Sequence, residues 1–417
     1  MALCLMLSGA LLVWAALHPF TTYPVSLVFL RLLSIGTRTR TRTRNPQASE
    51  HAGSLESGGG ESGEHETNAL RPRDVAICMC AYNEEKVIEA KIENLLALKR
   101  MYPGLEIYVY VDGASDRTAE LASAYEHKIT LVIGRERRGK THGMNRLVAL
   151  VDKPIIMFTD ATVTVDARAP ERVVSYFADP GVGCVCGQLN YTNAGASVTA
   201  YTGSAYWKLE ESIKRLESDT GTAVGADGSL FAVRRELHRP PPDDIIDDMS
   251  VSMMVFCEGH RVVQAHDVIA FEESVTAESE EFARKVRIGC QAFNVHRLLW
   301  NRIRHLDALS LYKYVSHKWM RWLTIYFLSS GLFLFELGLV ASDRTLTAAV
   351  LGAIGIACLV LGHLSRTGPF AQGWDILSAF AGTGLGVWRS MQGERFQTWT
   401  PATSIRNRLP TTTPGGE

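Results

Sequence analysis

The sequence predicts an α/β fold: a mostly parallel sheet with helices on both faces, flanked by transmembrane helices. Three observations lead there. Between about residues 73 and 300, short apolar runs alternate with segments of helical period, the pattern of parallel strands joined by crossover helices. Three of those runs end in Asn83, Asp112 and Asp160, polar groups placed at the carboxyl edge of a strand. Long apolar runs gather at the two ends of the chain.

The first 34 residues carry no formal charge before Arg31 and exceed the ~20 residues that span a bilayer. They lack the basic opening of a secretory signal, so they read as an uncleaved membrane segment. Pro19 and Pro24 divide it into a crossing and an interfacial piece. "TRTRTRTR" (37–44) follows, and basic flanks prefer the cytoplasm. Residues 45–70 are rich in Gly, Ser and Glu and cannot bury enough surface to fold, so 35–72 reads as a linker.

"DVAICMCAY" (74–82) reads as a buried strand. The next segment (84–100) is an amphipathic helix, with Val87, Ile88, Ile92, Leu95 and Leu96 on one face. Strands at 105–111, 129–134 and 153–160 follow, with a helix at 116–126. A glycine-rich loop and strand occupy 221–236, and Asp247 and Asp248 open a helix backed by Met249, Met253, Met254 and Phe256. Residues 281–293 form another helix, with Arg284 and Arg287 one turn apart. The stretch 301–321 reads as an interfacial amphipathic segment. Runs at 322–340 and 345–364 are spanning candidates, and 376–388 is short enough to lie in the interface. Residues 322–391 are thus a membrane region and 392–417 a basic, cytoplasmic tail.

Composition excludes some classes. Across 417 residues the net charge is −1, so no global field recruits nucleic acid. The C-x-C pairs Cys78/Cys80 and Cys184/Cys186 lack zinc spacing and read as buried free thiols. The first strand is not followed by G-x-G-x-x-G, which disfavours a dinucleotide-binding oxidoreductase.

The charged residues point to one kind of ligand. Asn83, Asp112 and Asp160 share a sheet edge, where open α/β sheets bind ligands. Beside it, "GRERRGKTHGMN" (134–145) supplies cations, and Gly139 and Lys140 open a helix whose N-terminus favours anions. Carboxylates facing cations suit a metal–diphosphate group.

The ordered set "AYNEE", "VDGASD", "RRGKTHGMN", "FTDAT", "GADGSLFAVRR", "IIDDM" and "RKVRI" resembles the membrane-anchored family 2 inverting glycosyltransferases of GT-A fold, in the branch found with bacterial exopolysaccharide and biofilm polymers. "SHKWMRW" (316–322) resembles that branch's junction between catalytic domain and membrane helices. The resemblance implies a nucleotide-diphosphate donor, with a UDP-sugar expected, and a lipid-linked or polysaccharide acceptor. It implies a base, Asp248, and Mg²⁺ or Mn²⁺ on Asp160. Asn83, Glu84 and Asp112 would hold the nucleoside. Lys140, Arg284 and Arg287 would face the diphosphate. Gly225, Asp227, Gly228 and Asp247 would line the acceptor. It also implies an inner-membrane protein with a cytoplasmic catalytic domain, and partner subunits of an export system.

Two positions depart from the pattern. Thr162 stands where many members carry a second metal carboxylate, and Ile288 follows Arg287 where processive synthases have Trp. These departures motivate a competing reading, a catalytically impaired nucleotide-binding regulatory subunit. A transporter is disfavoured by few spans with few internal polar groups.

Overall fold

A computed structural model of the chain describes residues 1–43, 70–365 and 367–398. The glycine- and serine-rich linker and the arginines at 406 and 408 lie outside the described residues.

Among the described residues one eight-stranded sheet forms the centre, in the order β3-β2-β1-β4-β7-β6-β8-β5. The strands are β1 (Val75–Ala81), β2 (Glu106–Asp112), β3 (Thr130–Gly134), β4 (Ile155–Thr159), β5 (Thr164–Val165), β6 (Val182–Tyr191), β7 (Leu230–Arg234) and β8 (Arg261–Glu272). The expected parallel arrangement holds in β3-β2-β1-β4, so those strands end at one edge. The second half is mixed. β7 runs antiparallel to β4 and β6, β8 is parallel to β6, and β5 is antiparallel to β8.

The helices are α1 (Ala2–Leu17), α2 (Thr22–Thr43), α3 (Ile88–Met101), α4 (Thr118–Ser123), α5 (Lys140–Val148), α6 (Ala169–Tyr176), α7 (Val198–Asp219), α8 (Asp247–Cys257), α9 (Glu278–Ile303), α10 (Ala308–Tyr314), α11 (Met320–Trp322), α12 (Thr324–Val340), α13 (Thr345–Leu364) and α14 (Gly368–Met391). Strand alternation sorts the core into two layers. Val75, Ile77, Met79 and Ala81 pack on one face with Ile88, Ile92, Leu95 and Leu96 of α3. Ala76 and Cys78 pack on the other with Met144 and Leu147 of α5 and Met249 and Val255 of α8. Each fully buried Ile, Leu or Met contributes about 1.5–3 kcal/mol relative to exposure. The C-x-C pairs fall as expected: Cys78, Cys184 and Cys186 share the second layer, and all eight cysteines are free.

The ends of the chain come together. α1 and α12 cross closely, a Cβ on Gly9 meeting the Gly331 carbonyl oxygen at 2.6 Å. The helical chain breaks at 18–21, near Pro19, as expected, but Pro24 sits inside α2, which runs on to Thr43 through residues expected to be linker. By length and composition, Ala2–Phe20 and Thr345–Leu364 can cross a membrane, and the pair α10–α11 with α12, bent by 71°, can form a third crossing. The region around 376–388 is longer than its sequence suggested. It is part of the 24-residue α14, which packs along α9 where glycines 289 and 386 admit the opposing backbone.

The expected interfacial segment turns its charges inward. A π-turn at Val315–Trp319 connects α10 to α11 and presents His317 to α7, with Lys318 and Arg321 beside it. Glu210 of α7 pairs with Arg321, with His317 Nε2 at 3.1 Å and with Lys318 Nζ at 3.1 Å. Glu217 pairs with His317 Nδ1 at 2.8 Å and accepts a hydrogen bond from Tyr23. This buried ionic seam fastens the helical region to the sheet domain. Burial alone would raise the pKa of Glu210. The charges of Arg321, His317 and Lys318 outweigh it and hold the carboxyl well below 4.5. Its stabilisation is therefore present above pH 4.5 and is lost as pH falls through the lowered native value. Glu210→Gln removes one partner of a buried cluster and is expected to cost about 3–5 kcal/mol at neutral pH. Thermal unfolding of the detergent-solubilised protein measures this, and the gap from wild type should narrow below pH 4.5.

Candidate active site

The site begins with strand register. β2 ends at Asp112, paired with Gly134 at the end of β3, while β4 ends one residue before Asp160. Parallel pairing thus brings loops distant in sequence to one edge. Asn83, with φ +53°, accepts the Ser115 N–H at 2.9 Å and donates to its hydroxyl at 3.1 Å, tying the β1 and β2 loops together. Glu84 is buried beside it, its backbone N–H donating to Thr118 Oγ1 at 2.8 Å. The Arg137 guanidinium stacks 3.7 Å from the Tyr82 ring centroid.

Asp112 has a specific structural task. Its two oxygens accept the N–H groups of Arg138 and Gly139, each at 2.8 Å. The buried carboxylate therefore fixes the turn that launches α5. Gly139 adopts φ +94°, and the Gln397 backbone lies where its side chain would stand. Asp112→Asn turns one acceptor into a donor facing a backbone N–H, a loss on the order of 1–3 kcal/mol. A lower melting temperature and a raised donor KM are expected together, measured by thermal unfolding and initial rates.

Lys140, the first residue of α5, reaches into the edge. Its Nζ lies 2.7 Å from Asp160 Oδ1 and 3.6 Å from Asp247 Oδ2. Burial alone would depress the ammonium, but Asp160, Asp247 and Asp248 outweigh it and hold Lys140 above the ordinary lysine range. Gly228 borders the same space. A Cβ there would stand 2.9 Å from Asp248 Oδ2, 2.9 Å from Lys140 Nζ and 3.6 Å from Asp160 Oδ2. The glycine is what leaves room between these charges.

Asp247 and Asp248 occupy the first turn of α8, where the helix dipole favours negative charge. Neither caps the helix, because Ile246 is the N-cap. Asp248 Oδ1 accepts the Met249 N–H at 2.5 Å. Burial first, then the neighbouring Asp247, pushes Asp248 up to about 7, against the pull of Lys140. Asp247 is 4% exposed, and among the described residues its Oδ2 accepts no hydrogen bond.

The structure thus joins five expected site residues: Lys140, Asp160, Gly228, Asp247 and Asp248. Asp112 stands behind them through the α5 turn. Asp227 is held by Lys214 Nζ at 3.1 Å and by the Ser229 hydroxyl. Gly225 lies against Lys318 and Ser252. The two arginines of α9 have other contacts. Arg284 pairs with Glu281 at 3.5 Å and is influenced by Tyr191 and Glu272, the latter accepting from Thr162 Oγ1 at 2.7 Å. Arg287 donates to Gln291 at 3.0 Å.

Several contributors escaped the sequence reading. The chain after α14, expected to be a tail, crosses the site. Gln397 donates to the Arg138 carbonyl at 2.9 Å, Gln291 to the Phe396 carbonyl at 2.9 Å, and Arg395 lies 3.6 Å from Asp244. Asp243 accepts from Asn145 and pairs with His142, tying α5 to the loop before α8. No hydrophobic period marks these short polar segments. Spacing among carboxylates and amides carried no signal for them.

Among the described residues no group of three or more His, Cys, Asp and Glu is arranged to hold a metal. The fit for a hard divalent cation rests on fewer groups: Asp160, the orphaned Asp247 oxygen, and a lysine ammonium already standing between them as a cation. Carboxylate oxygens suit Mg²⁺ or Mn²⁺, and such ions commonly take their remaining ligands from water and substrate phosphates.

Fold and edge together are those of a GT-A fold. Comparison with known proteins makes this particular. Residues 76–239 match the family model described as "Glycosyl transferase family 2". Poly-beta-1,6-N-acetyl-D-glucosamine synthase of Staphylococcus aureus (strain COL) is 29% identical over 196 residues, 45% of this chain and 47% of that protein. The Staphylococcus epidermidis protein of that name is 26% identical over 185 residues, 43% of this chain and 44% of that protein. The chain therefore matches about half the length of these relatives. The mannosyltransferase PcManGT from Pyrobaculum calidifontis, solved with GDP-Man and Mn²⁺, shares the fold. Its TM-score is 0.60 at 20% identity, over 89% of this chain and 99% of that one.

Proposed function

We propose that this protein is a membrane-bound inverting glycosyltransferase that moves a sugar from a nucleoside diphosphate to a sugar hydroxyl. The observation that carries the reading is the meeting of Lys140, Asp160 and Asp248 around Gly228 at the N-terminus of α5.

Asp248 takes the proton of the acceptor hydroxyl as its oxygen bonds to the anomeric carbon. The bond to the nucleoside diphosphate breaks on the opposite face. A carboxyl that titrates near neutrality is matched to this exchange. Lys140 and the α5 N-terminus receive the charge that develops on the departing diphosphate. Asp160 would hold Mg²⁺ or Mn²⁺, which when bound supplies further neutralisation of the diphosphate. Arg284 and Arg287, bonded to Glu281 and Gln291 of their own helix, would serve only as secondary cations. Asp227 and Gly225, which lie against Lys214 of α7 and Lys318 of the junction, would border the acceptor.

The staphylococcal relatives make N-acetylglucosamine the first sugar to test, carried on UDP, with a growing polysaccharide or a lipid-linked sugar as acceptor. The apolar helices at both ends of the chain support membrane anchoring. The basic stretch that ends α2 supports a cytoplasmic catalytic domain in the plasma membrane, where subunits of an export system would meet it.

The test is release of diphosphate by detergent-purified protein from UDP-N-acetylglucosamine, UDP-glucose and GDP-mannose, with and without chelator. One UDP-sugar is expected to turn over, and chelation should abolish that turnover. Binding without turnover of any donor would favour the regulatory-subunit reading.

A further inference from the structure

Thr162 leaves the family's second metal carboxylate unfilled, and its hydroxyl is committed to Glu272 at 2.7 Å. The edge nevertheless holds a spare carboxylate. We propose that Asp247, which comes from α8 rather than from the loop after β4, is the second protein ligand of the divalent cation. This inference rests on the metal-dependent reading above.

Three observations carry it. Asp247 is 4% exposed, yet its Oδ2 accepts no hydrogen bond among the described residues. A buried carboxylate oxygen left this way is costly, and such an atom calls for an explanation such as an ion. The orphaned oxygen looks onto the same ammonium as Asp160: Lys140 Nζ stands 2.7 Å from Asp160 and 3.6 Å from Asp247. A cation between these two carboxylates is therefore already part of the resting arrangement. Finally, Gly228 keeps open the space beside Lys140 and Asp160, since a Cβ would stand 2.9 Å from Lys140 Nζ and 3.6 Å from Asp160 Oδ2, with Asp248 Oδ2 also at 2.9 Å.

Charge balance gives the lysine a second position. Without substrate, Lys140 neutralises two carboxylates. With a divalent cation and a nucleoside diphosphate bound, Asp160 and Asp247 would hold the cation, and the Lys140 ammonium would be free to meet the phosphates at its own helix N-terminus. Asp248 is outside the ligand set, because one of its oxygens is held by the Met249 N–H and the carboxylate is needed for the proton.

The test is Mn²⁺ titration followed by electron paramagnetic resonance, with UDP present, on wild type, Asp247→Asn and Asp248→Asn. Asp247→Asn should weaken Mn²⁺ binding about tenfold or more, as loss of a group supporting a metal site does. Asp248→Asn, which removes equal charge from the neighbouring position, should weaken it less than threefold. Thermal unfolding supplies a readout independent of affinity. Without metal, Asp247→Asn should melt near the wild-type temperature, since relief of its repulsion with Asp248 offsets the loss of its 3.6 Å pairing with Lys140. The rise in melting temperature caused by Mn²⁺ and UDP should shrink sharply. Equal losses in the two variants, or none in Asp247→Asn, would overturn the assignment while leaving the metal-dependent reading intact. Failure of wild type itself to bind Mn²⁺ with UDP would overturn both.

Discussion

Asp248→Asn loses transfer and keeps its donor. The expected fall in kcat is about 10²–10⁴-fold, the usual worth of a positioned base. Donor affinity should change little, because the Lys140–Asp160 pair and the Asp112-anchored turn are untouched. The fold should not suffer either. Asp248 is raised to about 7 by burial and by Asp247, so a neutral amide of the same shape relieves repulsion. Initial rates, calorimetric titration with the donor and a melting curve separate these three expectations. A variant with wild-type kcat would remove Asp248 from the base role.

Lys140→Met is expected to fail differently. Removing one preorganised group that meets developing charge costs on the order of 10²–10³-fold in kcat. Here binding should fall as well, because the same ammonium faces the diphosphate in the ground state. The metal-free protein should also be less stable. Asp160, Asp247 and Asp248 would be left without their shared cation, and breaking a buried ion pair from one side costs about 3–5 kcal/mol. Mn²⁺ with UDP should restore part of that stability. Melting curves with and without Mn²⁺ and UDP, beside donor kinetics, give the pattern. A Met variant with normal donor KM would place the diphosphate elsewhere.

The parts of this site legible in the sequence follow from strand grammar. Asp112 and Asp160 are found because an apolar run that stops at a carboxylate marks a strand end, and parallel strands share an edge. Lys140 follows from a glycine before a helix start, and Asp248 from a carboxylate pair opening α8. The second half of the sheet was harder to read. β6 and β8 carry Gly, Gln, His and Asp among their apolar residues, so neither alternation nor a clean apolar run marks them. α7 hides for a related reason: Glu210, Glu211, Lys214 and Glu217 are buried, and Glu210 and Glu217 find their partner, His317, in a segment about 100 residues later. Burial of paired charge has no hydrophobic signature.

The sequence also misjudged how two segments are used. Residues 309–322 have the composition of a membrane-surface helix, but Lys313, His317 and Arg321 are buried against α7 and its loop. The stretch after α14 reads as a tail, yet residues 394–397 lie over the α5 turn and against α9. In both cases polar groups chose partners far away in the chain, which local pattern does not encode. Thr162 carried a different lesson. Its departure from the family pattern was visible at once, whereas the buried carboxylate proposed to answer it, Asp247, lies 85 residues further on and needed three dimensions to be seen.

The most direct measurement is an experimental structure of the protein with UDP and Mn²⁺, using anomalous scattering to locate the metal. The account predicts the diphosphate at the N-terminus of α5, Lys140 turned to it, and the Mn²⁺ peak touching Asp160. Nucleotide and metal bound on another face, with Lys140 still closed on Asp160, would contradict it.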